Sequence, residues 1–127
     1  MGAADFFQVA EGGTPTEAFT NGVESAAYDY GHAGYTGTLA EKFDVVWVKT
    51  SRLITRDEAE ELFDHLNERS WNYGGEPTPL PSWVINTPEE LEKIYDNFED
   101  KWASAIGVEI VSTRADGKRQ FAFMGWA

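Results

Sequence analysis

The chain contains no cysteine, few basic residues and no long hydrophobic run. Without cysteine, disulfides, thiolate zinc sites and thiol nucleophiles are excluded. No stretch reaches the roughly 18 apolar residues of a membrane-spanning helix, and residues Met1 to Asp5 lack the basic start of a signal peptide. We therefore expect a cytoplasmic protein with no membrane partner.

The shortage of basic residues leaves a strong negative charge. The chain contains 22 acidic residues and 10 Lys and Arg residues, which gives a net charge of −12. An excess of this size repels nucleic acid and anionic lipid, so we expect no direct binding to nucleic acid. Solubility, adaptation to high salt and complementarity to a basic partner all remain open as explanations.

The length and composition predict one folded domain, covering residues 1–127. The chain is 42% hydrophobic and 14% aromatic, which does not fit the profile of a disordered protein. A chain of this size buries roughly two-thirds of its unfolded surface in one core.

Three helix starts share a capping box, in which a threonine and the glutamate three residues later each cap the other's backbone N–H. They are Thr14 to Glu17, Thr55 to Glu58 and Thr87 to Glu90. Proline follows the threonine in the first and third, as is favoured at the first helical position. The first helix is predicted from about Pro15 to Tyr30, ending at Gly31.

Apolar and β-branched runs predict the strands. Phe6 to Ala10 forms a short strand, and Phe43 to Lys49 is hydrophobic enough to suggest a central strand. Ile106 to Ser112 and Gln120 to Trp126 flank Asp116-Gly117, a strong hairpin signal. The prediction is an α+β fold of order β-α-β-α-α-β-β, with a small, mainly antiparallel sheet and a C-terminal hairpin packed against three amphipathic helices.

The acidic residues concentrate on the second and third helices. Residues 56–69 and 89–101 each hold six acids and two bases, so together they carry two-thirds of the net charge. They are either the solvated faces of amphipathic helices or one negative surface that docks a basic protein or imitates nucleic-acid phosphates. The candidate partner-binding residues are Asp57, Glu60, Glu61, Asp64, Glu92, Asp96 and Glu99.

A second candidate site is the glycine-rich segment Gly31 to Thr38. Its glycines permit close backbone approach to a ligand. Because the segment follows the negative end of a helix, it is not a conventional phosphate loop, and a capped turn is the alternative interpretation. The candidate ligand-binding residues are His32, Tyr35, Thr36 and Thr38, with Glu41 as a base.

No motif singles out a catalytic residue, a metal site or a cofactor. The Walker lysine motif, the dinucleotide glycine motif, zinc motifs and Gly-x-Ser-x-Gly do not occur. The long loop from Trp71 to Trp83 is either pinned to the core by its aromatic residues or exposes them as a contact surface.

Two short stretches, Gly34 to Lys42 and Phe123 to Ala127, resemble small uncharacterised proteins of bacteria and their phages. The resemblance implies a bacterial or phage setting, with the host cytoplasm as the location, and it transfers no functional residues. A compact acidic protein of this origin is similar in character to anti-defence inhibitors, several classes of which imitate nucleic acid.

These observations favour a non-enzymatic acidic protein that binds a basic, nucleic-acid-handling protein through its acidic helices. The alternative is a small-ligand-binding protein or small enzyme with its site at Gly31 to Thr38.

Overall fold

The computed structural model describes residues 5–30, 39, 42, 44–71, 80–100 and 103–126, without the side chains of residues 27, 29, 30, 69–71 and 99. The predicted element order is confirmed. In chain order the elements are β1 (Asp5–Gly12), α1 (Pro15–Tyr30), β2 (Val45–Trp47), α2 (Arg56–Trp71), α3 (Pro88–Glu99), β3 (Ala105–Ile110) and β4 (Arg119–Trp126).

Capping boxes start α2 and α3 as the sequence predicts. Thr55 Oγ1 accepts a hydrogen bond from the N–H of Glu58, and Glu58 Oε1 accepts one from the N–H of Thr55. Thr87 and Glu90 form the same reciprocal pair, with Pro88 at the first helical position. These bonds satisfy N–H groups that have no partner inside a helix.

At the start of α1, one of the two capping hydrogen bonds involves a different residue from the one predicted. Thr14 Oγ1 accepts from the N–H of Glu17 at 3.1 Å, as predicted. The carboxylate of Glu17, however, accepts from the N–H of Gly13 at 3.2 Å. The helix spans Pro15–Tyr30, so its predicted start is confirmed, whereas the predicted stop at Gly31 lies outside the described residues.

The four strands of the described sheet follow the order β1-β4-β3-β2. The β1–β4 and β4–β3 pairs are antiparallel, and β3–β2 is parallel. The C-terminal hairpin is confirmed, and Gly117 in its turn has a φ of 77°, a left-handed conformation that glycine adopts without strain. The sheet is therefore mixed and mainly antiparallel.

The prediction that β2 is a central strand is wrong. The strand has only three residues, Val45 to Trp47, and lies at the edge of the sheet beside β3. Its continuous hydrophobicity has another cause, because both of its faces are covered. Val46 packs against the core that contains α2 and α3, whereas Val45 and Trp47 pack against the core that contains α1.

Helices cover both faces of the sheet. Helix α1 packs on one face, against Phe6, Phe121 and Phe123, in a core that also includes Leu39. Helices α2 and α3 share the other face, where their core side chains meet β3 and β4 residues. The alternation of side chains along each strand divides the core into these two layers, and it directs the outer surfaces of α2 and α3 to the same side of the protein.

Candidate functional site

The outer surfaces of α2 and α3 carry most of the acidic candidates. Apolar residues at helical spacing turn one face of each helix to the sheet, among them Leu62 and Leu66 of α2 and Ile94 and Phe98 of α3. The opposite face is exposed. It presents six of the seven predicted partner-binding residues to solvent, namely Asp57, Glu60, Glu61, Asp64, Glu92 and Asp96; the side chain of Glu99 lies outside the described residues.

Contacts between the two helices place these carboxylates in one layer. His65 Nε2 of α2 lies 3.3 Å from the hydroxyl of Tyr95 of α3, and the rings of Phe63 and Phe98 pack edge to face with centroids 6.1 Å apart. Both contacts join α2 directly to α3. The exposed carboxylates of both helices therefore lie on the outer side of one helical layer, and we call them together the acidic surface.

Ion pairs separate the acidic residues into two groups. At the margin, Arg52 pairs with Glu58 at the start of α2, and Lys49 pairs with Glu90 at the start of α3, each with an N to O distance of 2.5 Å. The hydrogen bond from Arg52 lowers the pKa of Glu58 to about 2, helped by the bond from the N–H of Thr55.

Within the acidic surface, the structure shows one ion pair among the candidate residues. Arg56 lies 3.6 Å from Glu60, at the i,i+4 spacing of neighbours on a helix. For the other five exposed candidates, no ion pair occurs within the described part of the chain; they are Asp57, Glu61, Asp64, Glu92 and Asp96. This surface can attract cationic groups without first breaking a salt bridge.

The acidic surface is not arranged as a metal site. Over the described ranges, no group of three or more His, Asp or Glu side chains is close enough together to hold a metal ion. His65, the histidine of α2, is 6% exposed and bonds to Tyr95 between the helices. It therefore serves as a local hydrogen-bonding residue between the two helices.

The glycine-rich candidate site lies outside the described residues. This applies to His32, Tyr35, Thr36, Thr38 and Glu41, so the ligand pocket at Gly31 to Thr38 stays a prediction. Two nearby residues are described. Leu39 is fully buried against α1, and Lys42 is buried at the end of α3.

Lys42 fastens the segment before β2 to the C-terminal end of α3. Its Nζ donates to the backbone carbonyls of Ala103, at 2.9 Å, and Asp100, at 3.2 Å. A cation is favoured at this end of a helix because the helix dipole is negative there. Burial lowers the pKa of Lys42 to about 8, although the charge of Asp100 opposes the shift.

The sequence left two interpretations of the Trp71 to Trp83 segment: its aromatic residues either pin it to the core or form an exposed contact surface. The second interpretation is wrong for Trp83. This side chain is 6% exposed and belongs to the core shared with α2 and α3. It is held where Ser51 N–H donates to the Trp83 carbonyl at 2.9 Å. The burial supports the interpretation of an aromatic residue that pins the loop.

A polar cleft of about 320 Å³ was missed by sequence reasoning. It lies where β1, α1 and the β3–β4 turn meet, so its residues come from three distant parts of the chain. No motif marks them. The polar and charged side chains that line it are Gln8, Glu11, Asn21, Ser25, Arg114 and Lys118.

Comparison with protein-family models, with curated proteins and with solved structures gives no match for this chain. Among the helices that the structure describes, none is long and apolar enough to cross a membrane.

Proposed function

We propose that the protein is a non-enzymatic interaction protein that binds a basic, nucleic-acid-handling protein through its acidic surface. The observation that carries this proposal is the group of five exposed carboxylates without an ion pair in the described part of the chain, on two helices of one layer. Like charges held together repel one another, and a cationic partner relieves that repulsion.

The salt bridges at the starts of α2 and α3 support the same proposal. Arg52 and Lys49 neutralise the glutamates at the helix starts, where capping requires a carboxylate or amide. Away from those starts, Glu61 and Asp96 have no such structural task in the described residues. Their negative charge is therefore available to a partner.

The nature of the partner follows from charge and setting. Proteins that bind DNA or RNA present clusters of Lys and Arg to phosphates, and an acidic helical surface can occupy the same clusters. For such a partner we propose a bacterial cell as the setting and inhibition of a defence protein as the corresponding activity.

The experiment compares two double variants that remove equal charge. Glu61→Gln with Asp96→Asn neutralises the acidic surface. Glu24→Gln with Asp44→Asn neutralises two exposed carboxylates that do not belong to it, one of them on α1. Each immobilised protein is exposed to a bacterial lysate, and retained proteins are identified by mass spectrometry.

We expect a basic nucleic-acid-binding protein to be retained by the unchanged protein and by the control variant. Its affinity for the acidic-surface variant should fall by about two- to thirtyfold, since each of the two exposed charge pairs contributes about 0.2–1 kcal/mol. Its affinity for the unchanged protein should fall with added salt. Equal retention by both variants, or retention that salt does not weaken, would contradict the proposal.

A further inference from the structure

The hydrogen-bond pattern of the sheet shows in which direction the backbone N–H and C=O groups of each β1 residue point. In β3, Ala105 N–H donates to the Asp44 carbonyl, and the Gly107 carbonyl accepts from Val48. The backbone N–H and C=O groups of Ala105 and Gly107 therefore point toward β2. Because backbone polar groups alternate in direction along a strand, Ile106 and Val108 point the other way, toward β4.

The same alternation carries across β4 to β1. Ile106 is opposite Met124, so the backbone N–H and C=O groups of Met124 point toward β3. Those of the neighbouring residue, Phe123, therefore point toward β1. Phe123 is opposite Gln8. The N–H and C=O of Gln8 thus face β4, whereas those of Phe7 and Val9 face away from the sheet.

The outward groups of Phe7 and Val9 have no hydrogen-bond partner within the described residues. Further along, the outward carbonyl of Glu11 accepts from Asn21 Nδ2 of α1 at 2.8 Å. This bond agrees with the alternation and closes one end of the edge. Over the described residues, Phe7 and Val9 thus leave a short stretch of edge with two unpaired donors and two unpaired acceptors, the arrangement that an added strand pairs with.

The polar cleft lies along this open edge. Gln8 to Glu11 form one wall, while Asn21 and Ser25 of α1 form another. At the Glu11 end stand two of the chain's ten cations, Arg114 and Lys118. Arg114 is engaged by Glu11 and Asp116. Lys118 Nζ has no ion pair in the described part of the chain. The hydrogen bond from Arg114 lowers the pKa of the nearby Asp116 carboxyl, and the charge of Lys118 contributes to that shift. The exposed ammonium of Lys118 can also meet an anion of a partner.

We propose that the outer edge of β1 binds an extended peptide segment of another protein as an additional strand, with an acidic side chain of that peptide at Lys118. The backbone groups of Phe7 and Val9 supply sequence-independent hydrogen bonds. Lys118 supplies charge selectivity in a protein that is otherwise strongly acidic. This site is separate from the acidic surface and does not depend on it.

A second copy of this chain fits the edge less well. Each copy carries a net charge of −12, so two copies repel one another. A second copy would also bring its own α1, which packs on β1, to the same edge. An isolated extended peptide carries no such helix and enters the cleft without one.

The test uses a blocked peptide of alternating valine and threonine that ends in glutamate, with amide hydrogen exchange of the full chain followed by NMR. In the free protein, the amides of Phe7 and Val9 should exchange rapidly. With peptide added to saturation, on the order of a few millimolar, both should become at least about tenfold slower to exchange.

Two controls separate backbone pairing from other contacts. The same peptide with N-methyl groups on alternate amides lacks the donors that face β1, and it should bind about tenfold or more weakly. In the protein, Val9→Pro removes an outward N–H that the β1–β4 ladder does not use, whereas Val9→Thr retains it. Only the proline variant should lose peptide binding, and its circular dichroism reports whether the sheet is intact.

Lys118→Gln tests the charge selectivity. The unchanged protein should prefer the glutamate peptide over its glutamine counterpart by about two- to fivefold, and the variant should show no preference.

Three results would overturn the proposal. The first is unchanged exchange of Phe7 and Val9 at saturating peptide. The second is protection of these amides that rises with protein concentration in the absence of peptide, which would assign the edge to a second copy. The third is concentration-independent protection in the free protein, which would show the edge to be paired already.

Discussion

The helices on the two faces of the sheet contribute side chains of different size to the core. On the α1 face the large side chains belong mostly to the strands, with Phe121 and Phe123 fully buried, whereas the helix contributes the small residues Ala18 and Ala26. On the other face both partners supply large side chains: Leu62, Leu66, Ile94 and Phe98 of the helices share the core with Ile106, Ile110 and Met124 of the strands. Among the described residues, only α1 has small residues at all of its buried positions.

The difference shows most clearly at Gly22, in the middle of α1. A Cβ atom at this position would lie 2.8 Å from Leu39 Cδ2 and 3.1 Å from the Cβ of Ala10. The helix therefore approaches the sheet more closely than a side chain at this position would permit. Close approach compensates for the weak intrinsic helix propensity of glycine, about 1 kcal/mol below alanine. Added volume at Gly22 should therefore destabilise the protein, and lost volume should destabilise both faces by a similar amount.

The largest expected effect comes from removing volume. Phe123→Ala should cost about 3–5 kcal/mol of unfolding free energy, because the ring is fully buried and packs edge to face against Phe19 and Trp47. Phe98→Ala on the opposite face should cost a similar amount. Urea denaturation measures both. A loss below about 1 kcal/mol at either position would show that its layer collapses around the cavity.

Adding volume at Gly22 should test the close approach of α1 to the sheet, with a smaller expected effect. Gly22→Val should cost about 1–3 kcal/mol, because the new side chain meets Leu39 and Ala10 at too short a distance. Gly13→Ala is the control, since a Cβ there meets only the Glu17 carboxylate, at 3.9 Å; it should change stability by less than about 0.5 kcal/mol. A neutral Gly22→Val would show that α1 can move away from the sheet without loss.

The smallest expected effect concerns the charged margin of the α2 and α3 layer. The pKa of Glu58 is about 2 in the folded protein, below its ordinary value of 4.5. Its ionised form therefore adds stability that is complete above about pH 4.5 and is lost as the pH falls toward 2. Glu58→Gln keeps a capping side chain but cannot ionise.

We expect the difference in thermal midpoint between Glu58→Gln and the unchanged protein to shrink over this pH range. Glu24→Gln, on the exposed side of α1, is measured beside it as the control for removing one exposed carboxylate. A constant difference between Glu58→Gln and the unchanged protein at all pH values would assign the contribution of Glu58 to its cap and not to its charge.

Local signals allowed the helices to be predicted. At Thr55 and Thr87 the capping side chains satisfy neighbouring backbone groups, so the sequence within one helical turn specifies the start. The strand β2 could not be placed in the same way. Its hydrophobic run indicates only that both faces of the strand are covered. An edge strand between two helical layers is covered on both faces, just as a central strand is.

The candidate sites differ in the same respect. Helical spacing within 56–69 and 89–101 predicted which acidic residues are exposed, because periodicity alone distinguishes the inner from the outer face of a helix. The polar cleft has no such local pattern. It joins Gln8, Asn21 and Lys118, which come together only through the pairing of β1 with β4. Residues brought together by strand pairing leave no spacing to recognise.

The position of β4 between β1 and β3 has a kinetic consequence. The ion pair of Glu11 with Arg114 joins residues 103 positions apart, and the β1–β4 ladder spans similar separations. Bringing such distant segments together costs loop-closure entropy before any contact compensates for it. The chain should therefore fold slowly for its size, with β1 and α1 added to a nucleus formed from the later half of the sequence.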